Sequence, residues 1–219
     1  MRELRSKRTA TGAATGARKR QYKARQERRR EITAATLEIL AEQGMHAWTT
    51  SALATRVGVS EATLFRHFSS KDEILISAFR DLIQSIQTRV TDFEGQGAPW
   101  ERVRGLVFHV LDFVEETGGG PLIIMTGEAI RILPAVRDDV LATRLLFRDR
   151  LIGLVQHALV DANRQSELDA GDVADLIIAV VHSTGLRWVL SDGTISLRDT
   201  AGRMLHVVAH RWGGKEVGQ

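Results

Sequence analysis

The stretch TTSALATRVGVSEATLFRHFSSK, residues 49–71, contains two short segments with helical apolar spacing, separated by Gly58-Val59-Ser60. The hydroxyl residues at 49–50 and at Ser60 are typical of the positions that cap the start of a helix. Gly58 can adopt the left-handed conformation that ends one. The stretch therefore predicts two helices of about seven residues each, joined by a glycine turn.

Helices this short do not stand alone, because nucleating a helix costs more free energy than so few hydrogen bonds return. The preceding segment offers Ile39 and Leu40, and the following one offers Ile74 and Leu75, after a capping-box pattern at residues 70–73, SKDE. The two short helices are therefore expected to pack on their neighbours as a helix-turn-helix. In such a unit, the second helix of the motif enters the major groove of DNA.

The residues left facing outward suit that role. Thr63 and Arg66 are suited to reading base edges, and small residues beside them let the helix backbone approach the groove. Hydroxyls and cations at helix ends bind phosphates. The predicted DNA-contacting residues are Thr50, Ser60, Ala62, Thr63, Phe65, Arg66, His67 and Lys71. From spacing alone, an ordinary helical hairpin with a glycine turn remains an alternative.

Residues 49–75, TTSALATRVGVSEATLFRHFSSKDEIL, resemble the DNA-binding signature of the TetR family of bacterial transcriptional regulators. The resemblance covers the paired threonines, the Gly-Val-Ser turn, the His-Phe pair and the lysine that opens the next helix. It implies a homodimer on a roughly palindromic operator in double-stranded DNA, usually a repressor released by a small ligand. It also places the predicted set, apart from Arg66, at DNA-contacting positions. Phe65 departs from the common tyrosine and cannot donate a hydroxyl hydrogen bond to phosphate.

Strand patterns are nearly absent from the chain, and its apolar residues recur at helical spacing. The predicted fold is all-α, with about nine helices: an N-terminal three-helix helix-turn-helix unit and a C-terminal antiparallel helical body. The resemblance assigns ligand binding and dimerisation to that body. The predicted domains are a basic flexible tail (1–24), a DNA-binding domain (25–71) and a dimerisation and effector-binding domain (72–219).

Charge is distributed unevenly along the chain. Residues 1–30 carry 12 Lys/Arg and 2 Asp/Glu, whereas the rest carries 18 and 25. A basic end on an acidic body indicates a polyanionic partner for that end. Arg18, Lys19, Arg20, Lys23 and Arg25 are placed to follow the DNA backbone or enter the minor groove. The alternative is a solvated tail that only raises nonspecific affinity.

The resemblance assigns dimerisation to the last two helices. Small residues that allow close helix approach, together with tryptophan, are compatible with an interface there. The predicted interface residues are Val181, Gly185, Trp188, Met204, Leu205, Val208 and Trp212. The alternative for these residues is core packing inside one subunit.

The middle of the body mixes apolar residues with occasional polar groups, as small-molecule pockets do. The predicted pocket residues are His109, Phe113, Met125, Glu128, Arg131, Phe147 and His182. We expect a small apolar or amphipathic effector and no cofactor. The segment PLIIMTGEAI (121–130) is similar to a stretch in the nucleoid-occlusion branch of the family. That likeness implies an alternative in which the body of a DNA-binding cell-division regulator binds a protein partner.

Enzyme signatures are weak. The chain has no cysteine, nucleophile elbow or nicotinamide fingerprint, and His206 and His210 have helical metal-binding spacing without an acidic third ligand. We expect no enzymatic activity and no metal site; an α-helical enzyme is the remote alternative. Residues 1–30 are too polar for a secretory signal, and no apolar run approaches the roughly 18 residues of a membrane helix. A cytoplasmic protein is expected.

Overall fold

The computed structural model describes residues 3–125, 130, 133–164 and 167–212, with the side chains of 3–21, 123–125 and 211–212 left out. In these ranges the fold is all-α, as predicted, with nine α-helices and no β-strand. The helices are α1 (Glu3–Gln43), α2 (Thr50–Val57), α3 (Glu61–His67), α4 (Lys71–Asp92), α5 (Pro99–Glu116), α6 (Gly120–Met125), α7 (Arg137–Asp161), α8 (Ala170–Leu190) and α9 (Leu197–Trp212). A 3-10 turn, Pro134–Val136, precedes α7.

The chain divides into two compact units, Met1–Ala78 and Phe79–Gln219. The first ends seven residues beyond the predicted boundary at residue 71. Ile74 and Ala78 at the start of α4 have no exposed surface, and Arg29 of α1 bonds to Glu73 and Ser77. These contacts make the first two turns of α4 part of the first unit.

Helix α1 is continuous from Glu3, so the segment predicted to be a flexible tail has helical backbone from residue 3 onward. Ala, Arg, Lys and Gln dominate residues 13–26, and these residue types have high helix propensity. The described side chains between Tyr22 and Glu27 are exposed, whereas Ile32 is fully buried. The part of α1 that packs on the unit therefore begins near residue 28.

Local capping interactions start and end the helices of the first unit. The Thr49 hydroxyl oxygen accepts the Ala52 amide at 3.1 Å, which starts α2. Gly58 ends that helix in the left-handed conformation, with φ +72°. Leu53 and Leu64, one on each short helix, have no exposed surface. The short helices are therefore stabilised by burial against α1 and against each other.

The second unit has its own apolar core, formed mainly by α5, α7, α8 and α9. Helix α8 packs against α7 and α9, and α5 packs against α7 and α9. Helices α6 and α8 approach closely because Gly185 has no side chain: a β-carbon there would overlap the buried Leu122. Arg148 joins α7 to α8 through two hydrogen bonds to Asp175, at 2.9 and 3.0 Å.

Helix α8 is the one helix of the described residues that is long and apolar enough to cross a membrane, by length and composition alone. Its inner side contributes nine buried residues to the second unit, among them Ile177 and Thr184. The apolar character of α8 therefore has a packing explanation within this fold.

Candidate nucleic-acid interface and ligand cavity

Helix α3 is amphipathic, with one side buried in the first unit and the other side exposed to solvent. Ser60 caps its start by accepting the Thr63 amide at 3.2 Å. Leu64 has no exposed surface and Phe68 has 2%. Ala62 and Arg66 on the other side are exposed. The predicted recognition helix therefore packs through its apolar side, and its polar side is accessible to a binding partner.

Arg29 of α1 holds the end of α3. Its guanidinium donates to the carbonyl oxygen of His67, the last residue of α3. It also bonds to Glu73 Oε1 at 3.1 Å and lies 3.9 Å from the centre of the Phe68 ring. Arg29 is not among the residues predicted from the sequence. Its position three residues before buried Ile32, on the inner helical face, was the available signal.

The start of α4 is capped as the SKDE pattern predicts, with one difference. Ser70 Oγ accepts the Glu73 amide at 3.0 Å. The Glu73 carboxylate reaches back to the amide of Ser69, one residue before the expected partner. The Ser69 hydrogen bonds, and then the guanidinium of Arg29, lower the pKa of Glu73 to about 2. Glu73 is therefore a carboxylate at neutral pH and a fixed acceptor for both partners.

Arginines surround His67 at the end of α3. Burial lowers the pKa of His67, and the charges of Arg25, Arg66, Arg28 and Arg29 lower it further. Its Nδ1 atom is buried without a hydrogen-bond partner among the described atoms. His67 is therefore uncharged near pH 7, and the positive charge at this end of α3 comes from α1 as well as from α3.

The other predicted DNA contacts lie in the same unit. Five are exposed, namely Ser60, Ala62, Phe65, Arg66 and Lys71, whereas Thr50, Thr63 and His67 are half-buried. The Thr50 hydroxyl donates to Glu61 Oε2 at 2.5 Å, so α2 and α3 meet at this pair. Lys71 Nζ lies 5.0 Å from the centre of the Trp48 ring. Contact of each residue with DNA stays a prediction.

The second unit holds a cavity of about 180 Å³ among its described residues. Helices α4, α5, α7 and α8 each line it with residues three, four or seven apart, the spacing of one helical face. Of the predicted pocket residues, Phe113, Phe147 and His182 line it. His109 does not; its ring packs against Phe93, with centroids 5.6 Å apart.

Three predicted pocket residues, Met125, Glu128 and Arg131, fall outside the described side chains, and their roles stay predictions. Arg144, which is not among the residues predicted from the sequence, lines the cavity together with Val140 and Phe147 of α7. Their spacing of four and then three residues marks one face of that helix. An arginine between apolar residues was the signal for it.

The described lining contains few polar side chains. The Thr143 hydroxyl is already used, because it accepts from Gln87 Nε2 and donates to the Asp139 carbonyl, both at 2.8 Å. Burial, followed by the charge of Arg144, lowers the pKa of His182, which is therefore uncharged at neutral pH. Arg144 and His182 remain as the polar groups that a ligand meets.

Four of the predicted interface residues belong to the interior of a single chain. Val181, Leu205 and Val208 have 2%, 0% and 6% of their surface exposed, and Gly185 is buried against Leu122. They form core contacts, because α8 and α9 pack on each other and on α5. Trp188 and Met204 are half-buried, and Trp212 lies outside the described side chains, so their interface role stays a prediction.

Other apolar residues of α8 and α9 are open to solvent. Leu186, Val189 and Leu190 near the end of α8 are 54%, 48% and 76% exposed, and Val207 of α9 is 66% exposed. We call these four residues the apolar face. Most of the predicted interface residues lie instead on the inner side of the same helices.

His206 and His210 stack on α9, with ring centroids 6.2 Å apart. The described part of the chain contains no group of three or more side chains placed to hold a metal ion.

A helix-turn-helix unit whose second helix exposes polar residues and has arginines of α1 near its end, followed by a helical body with an apolar cavity, defines a DNA-binding regulator. Residues 32–78 match the family described as "Bacterial regulatory proteins, tetR family". The chain is 30% identical over 174 residues to the HTH-type transcriptional regulator BetI of Rhizobium meliloti (strain 1021), covering 78% of this chain and 82% of that one. The chain therefore belongs to the TetR family and is a DNA-binding transcriptional regulator.

Further relatives include the nucleoid occlusion factor SlmA of Haemophilus influenzae (strain PittGG), 26% identical over 74% of this chain and 76% of that one. Among solved structures, FadR of Bacillus subtilis in complex with stearoyl-CoA has a TM-score of 0.63 at 19% identity, over 85% of this chain and 98% of that one. A regulator from Saccharomonospora viridis in complex with choline has a TM-score of 0.70 at 20% identity, over 84% and 96%. These two likenesses show the shared fold.

Proposed function

We propose that this regulator is a homodimeric repressor that binds a roughly palindromic operator and is released by a small apolar or amphipathic ligand. The DNA-binding part of this proposal rests on the contacts that fix α3 in position. Leu64 and Phe68 seal one side, and Arg29 bonds to its last carbonyl. A rigid short helix presents Thr63 and Arg66 in a fixed register, which base recognition requires.

The dimer places two recognition helices on successive turns of DNA, about 34 Å apart. The apolar face supports this assembly, because Leu186, Val189 and Leu190 are exposed at the i, i+3, i+4 spacing of one helix side, and exposed apolar patches mark interaction surfaces. Arg25 and its basic neighbours in α1 extend the phosphate contacts beyond α3. The protein acts in the cytoplasm, where the chromosome lies.

Release by a ligand uses α4. This helix begins at Lys71, beside the recognition helix in sequence, and its later residues Ile83, Ile86 and Val90 line the cavity. A ligand that prefers a different position of α4 weakens DNA binding by its difference in affinity between the two states. Family neighbours bind ligands as different as stearoyl-CoA and choline.

The test is to purify the protein with fragmented genomic DNA of its host, sequence what it retains, and measure gel shifts on the recovered sites. We expect a few strong sites with two-fold symmetry, each bound by two chains. Retention of DNA without any shared sequence would contradict sequence-specific repression.

A second candidate is a DNA-binding regulator of cell division whose body binds a protein partner. It is favoured by the relatives named SlmA, one of which, from Serratia proteamaculans (strain 568), is 36% identical over 49% of this chain. The same sequencing experiment separates the candidates. Many sites spread over the chromosome favour nucleoid occlusion, whereas a few sites beside promoters favour the repressor.

A further inference from the structure

The described lining of the cavity is apolar apart from one hydroxyl, one neutral imidazole and one cation. The cation is Arg144 of α7, and no carboxylate stands among the described lining residues. Arg144 is also exposed to solvent, as is its neighbour Leu141, at 45%. The guanidinium therefore belongs to the mouth of the cavity, and the apolar walls lie behind it.

The charge of Arg144 is not neutralised by a paired carboxylate in the described part of the chain. The nearby acid is Asp175, whose pKa is lowered first by Arg148 and also by Arg144. Both oxygens of Asp175 already accept hydrogen bonds from Arg148. Asp175 is therefore hydrogen-bonded to Arg148 and not to Arg144, which leaves Arg144 without an ion pair among the described residues.

His182 contributes a hydrogen-bonding group without charge. It lies on α8 in the cavity wall, with Ile178 and Val181 on the same helical face. Because its pKa is lowered by burial and by Arg144, it is a neutral imidazole at pH 7. A neutral imidazole has one N–H donor and one acceptor, so it can bond to an anionic head without repelling Arg144.

We propose that the cavity binds a small amphipathic molecule with a single negative charge, a carboxylate on an aliphatic or aromatic body. Arg144 holds the carboxylate at the mouth, His182 donates a hydrogen bond to it, and the apolar body fills the space between Phe113 and Phe147. The inference rests on the proposed function, in that it names the class of ligand that would release the operator. It predicts no binding of cationic ligands, because the described lining residues include Arg144 and no carboxylate.

The proposal is tested with probes that share one apolar chain and differ in the charge of the head group. The cavity, about 180 Å³, is smaller than the roughly 300–1,000 Å³ of pockets for drug-sized ligands. We therefore choose octanoate, 1-octanol and octyltrimethylammonium, titrated calorimetrically into the full chain at pH 7 without DNA. Octanoate is expected to bind about tenfold or more tightly than octanol, since charge-assisted hydrogen bonds are the strong ones. No binding of the cation is expected.

Variants of Arg144 test whether its guanidinium is the group that binds the carboxylate. Arg144→Met keeps the aliphatic stem and is expected to weaken octanoate binding about tenfold while leaving octanol binding unchanged. Arg144→Lys should retain part of the preference, because lysine keeps the charge but loses the planar fork. The matched control is Arg137→Met, an exposed arginine on the same helix outside the cavity lining, which should bind octanoate as the native chain does.

The proposal is overturned if octanol binds as well as octanoate, if the trimethylammonium probe binds more tightly than either, or if no probe binds the native chain. Octanoate binding that is identical in the native chain and in Arg144→Met also overturns it. If octanoate binds through Arg144 but leaves the operator complex intact in a gel shift, the class of ligand stands and the proposed release of DNA fails.

Discussion

The guanidinium Nη2 of Arg29 lies 3.1 Å from Oε1 of Glu73, joining the middle of α1 to the first turn of α4. The same guanidinium donates to the carbonyl of His67 and stacks on Phe68. One side chain thus ties together three helices around the end of the recognition helix. Arg29 itself is only 26% exposed, so its role is to position α3.

Replacing Arg29 with Met should lower the free energy of unfolding by about 1–3 kcal/mol, because the His67 carbonyl and the Glu73 carboxylate lose a charged donor. Urea denaturation measures the loss. The matched control is Arg28→Met, whose i,i+3 pair with Glu31 is a surface pair worth about 0–1 kcal/mol. Equal losses for the two variants would contradict the bracing role of Arg29.

Acid should weaken the first unit through Glu73. Its folded pKa of about 2 lies below the ordinary value of 4.5, so its contribution to stability is complete above pH 4.5 and is lost as pH falls toward 2. Glu73→Gln should lower stability at neutral pH and flatten its dependence on pH below 4.5. Denaturation at a series of pH values tests this.

The control for the acid experiment is Asp72→Asn, because Asp72 is exposed, lies in the same turn and makes neither the Ser69 nor the Arg29 bond. It should keep the acid slope of the native chain. An unchanged slope in Glu73→Gln would rule out this carboxylate as its source.

Lys71 and Thr63 should separate affinity from sequence choice. Lys71→Ala removes a predicted phosphate contact, so binding to all sequences should weaken alike. The slope of the logarithm of the binding constant against the logarithm of salt concentration should become shallower by about one. Thr63→Ala should change which base pair is preferred, by about 1–3 kcal/mol at one position. Gel shifts on a set of operator variants measure both, with Arg137→Ala in the second unit as the control. A change of sequence preference in Lys71→Ala would reverse the assigned roles.

The apolar face should hold the proposed dimer together. Leu190→Glu places a charge where an exposed apolar residue would be buried by the partner, so sedimentation should show monomers and operator binding should fall. Val160→Glu is the control, since Val160 is also exposed, at 61%, but lies near the end of α7. Dissociation by both variants, or by neither, would place the interface elsewhere.

Gly185 and Gly153 form a matched pair within the second unit. Gly185→Ala forces a β-carbon into buried Leu122, so the free energy of unfolding should fall by about 1–3 kcal/mol. Gly153→Ala meets no atom within 4 Å and lies inside α7, so it should raise stability by about 0.5–1 kcal/mol. Thermal denaturation of both chains tests the pair; a stabilised Gly185→Ala would mean that α6 and α8 do not approach as described.

The helix-turn-helix was predictable from sequence because its signals are local. Thr49, Gly58 and Ser60 act on amides and carbonyls within a few residues, so each cap can be recognised without knowing what lies nearby in space. The structure buries Leu53 and Leu64, one on each short helix, in agreement with the helical apolar spacing of residues 49–71. A contact set by neighbours along the chain is present in the sequence itself.

Tertiary structure decided which apolar residues of α8 and α9 face the core and which stay open. Both helices are apolar on more than one side, so periodicity did not show that Leu205 is sealed while Val207 is open. The hydrogen bond of Arg29 to Glu73 and the position of Arg144 at the mouth of the cavity could not be predicted from the sequence either. Their partners lie on other helices, and only the packing of those helices brings the groups together.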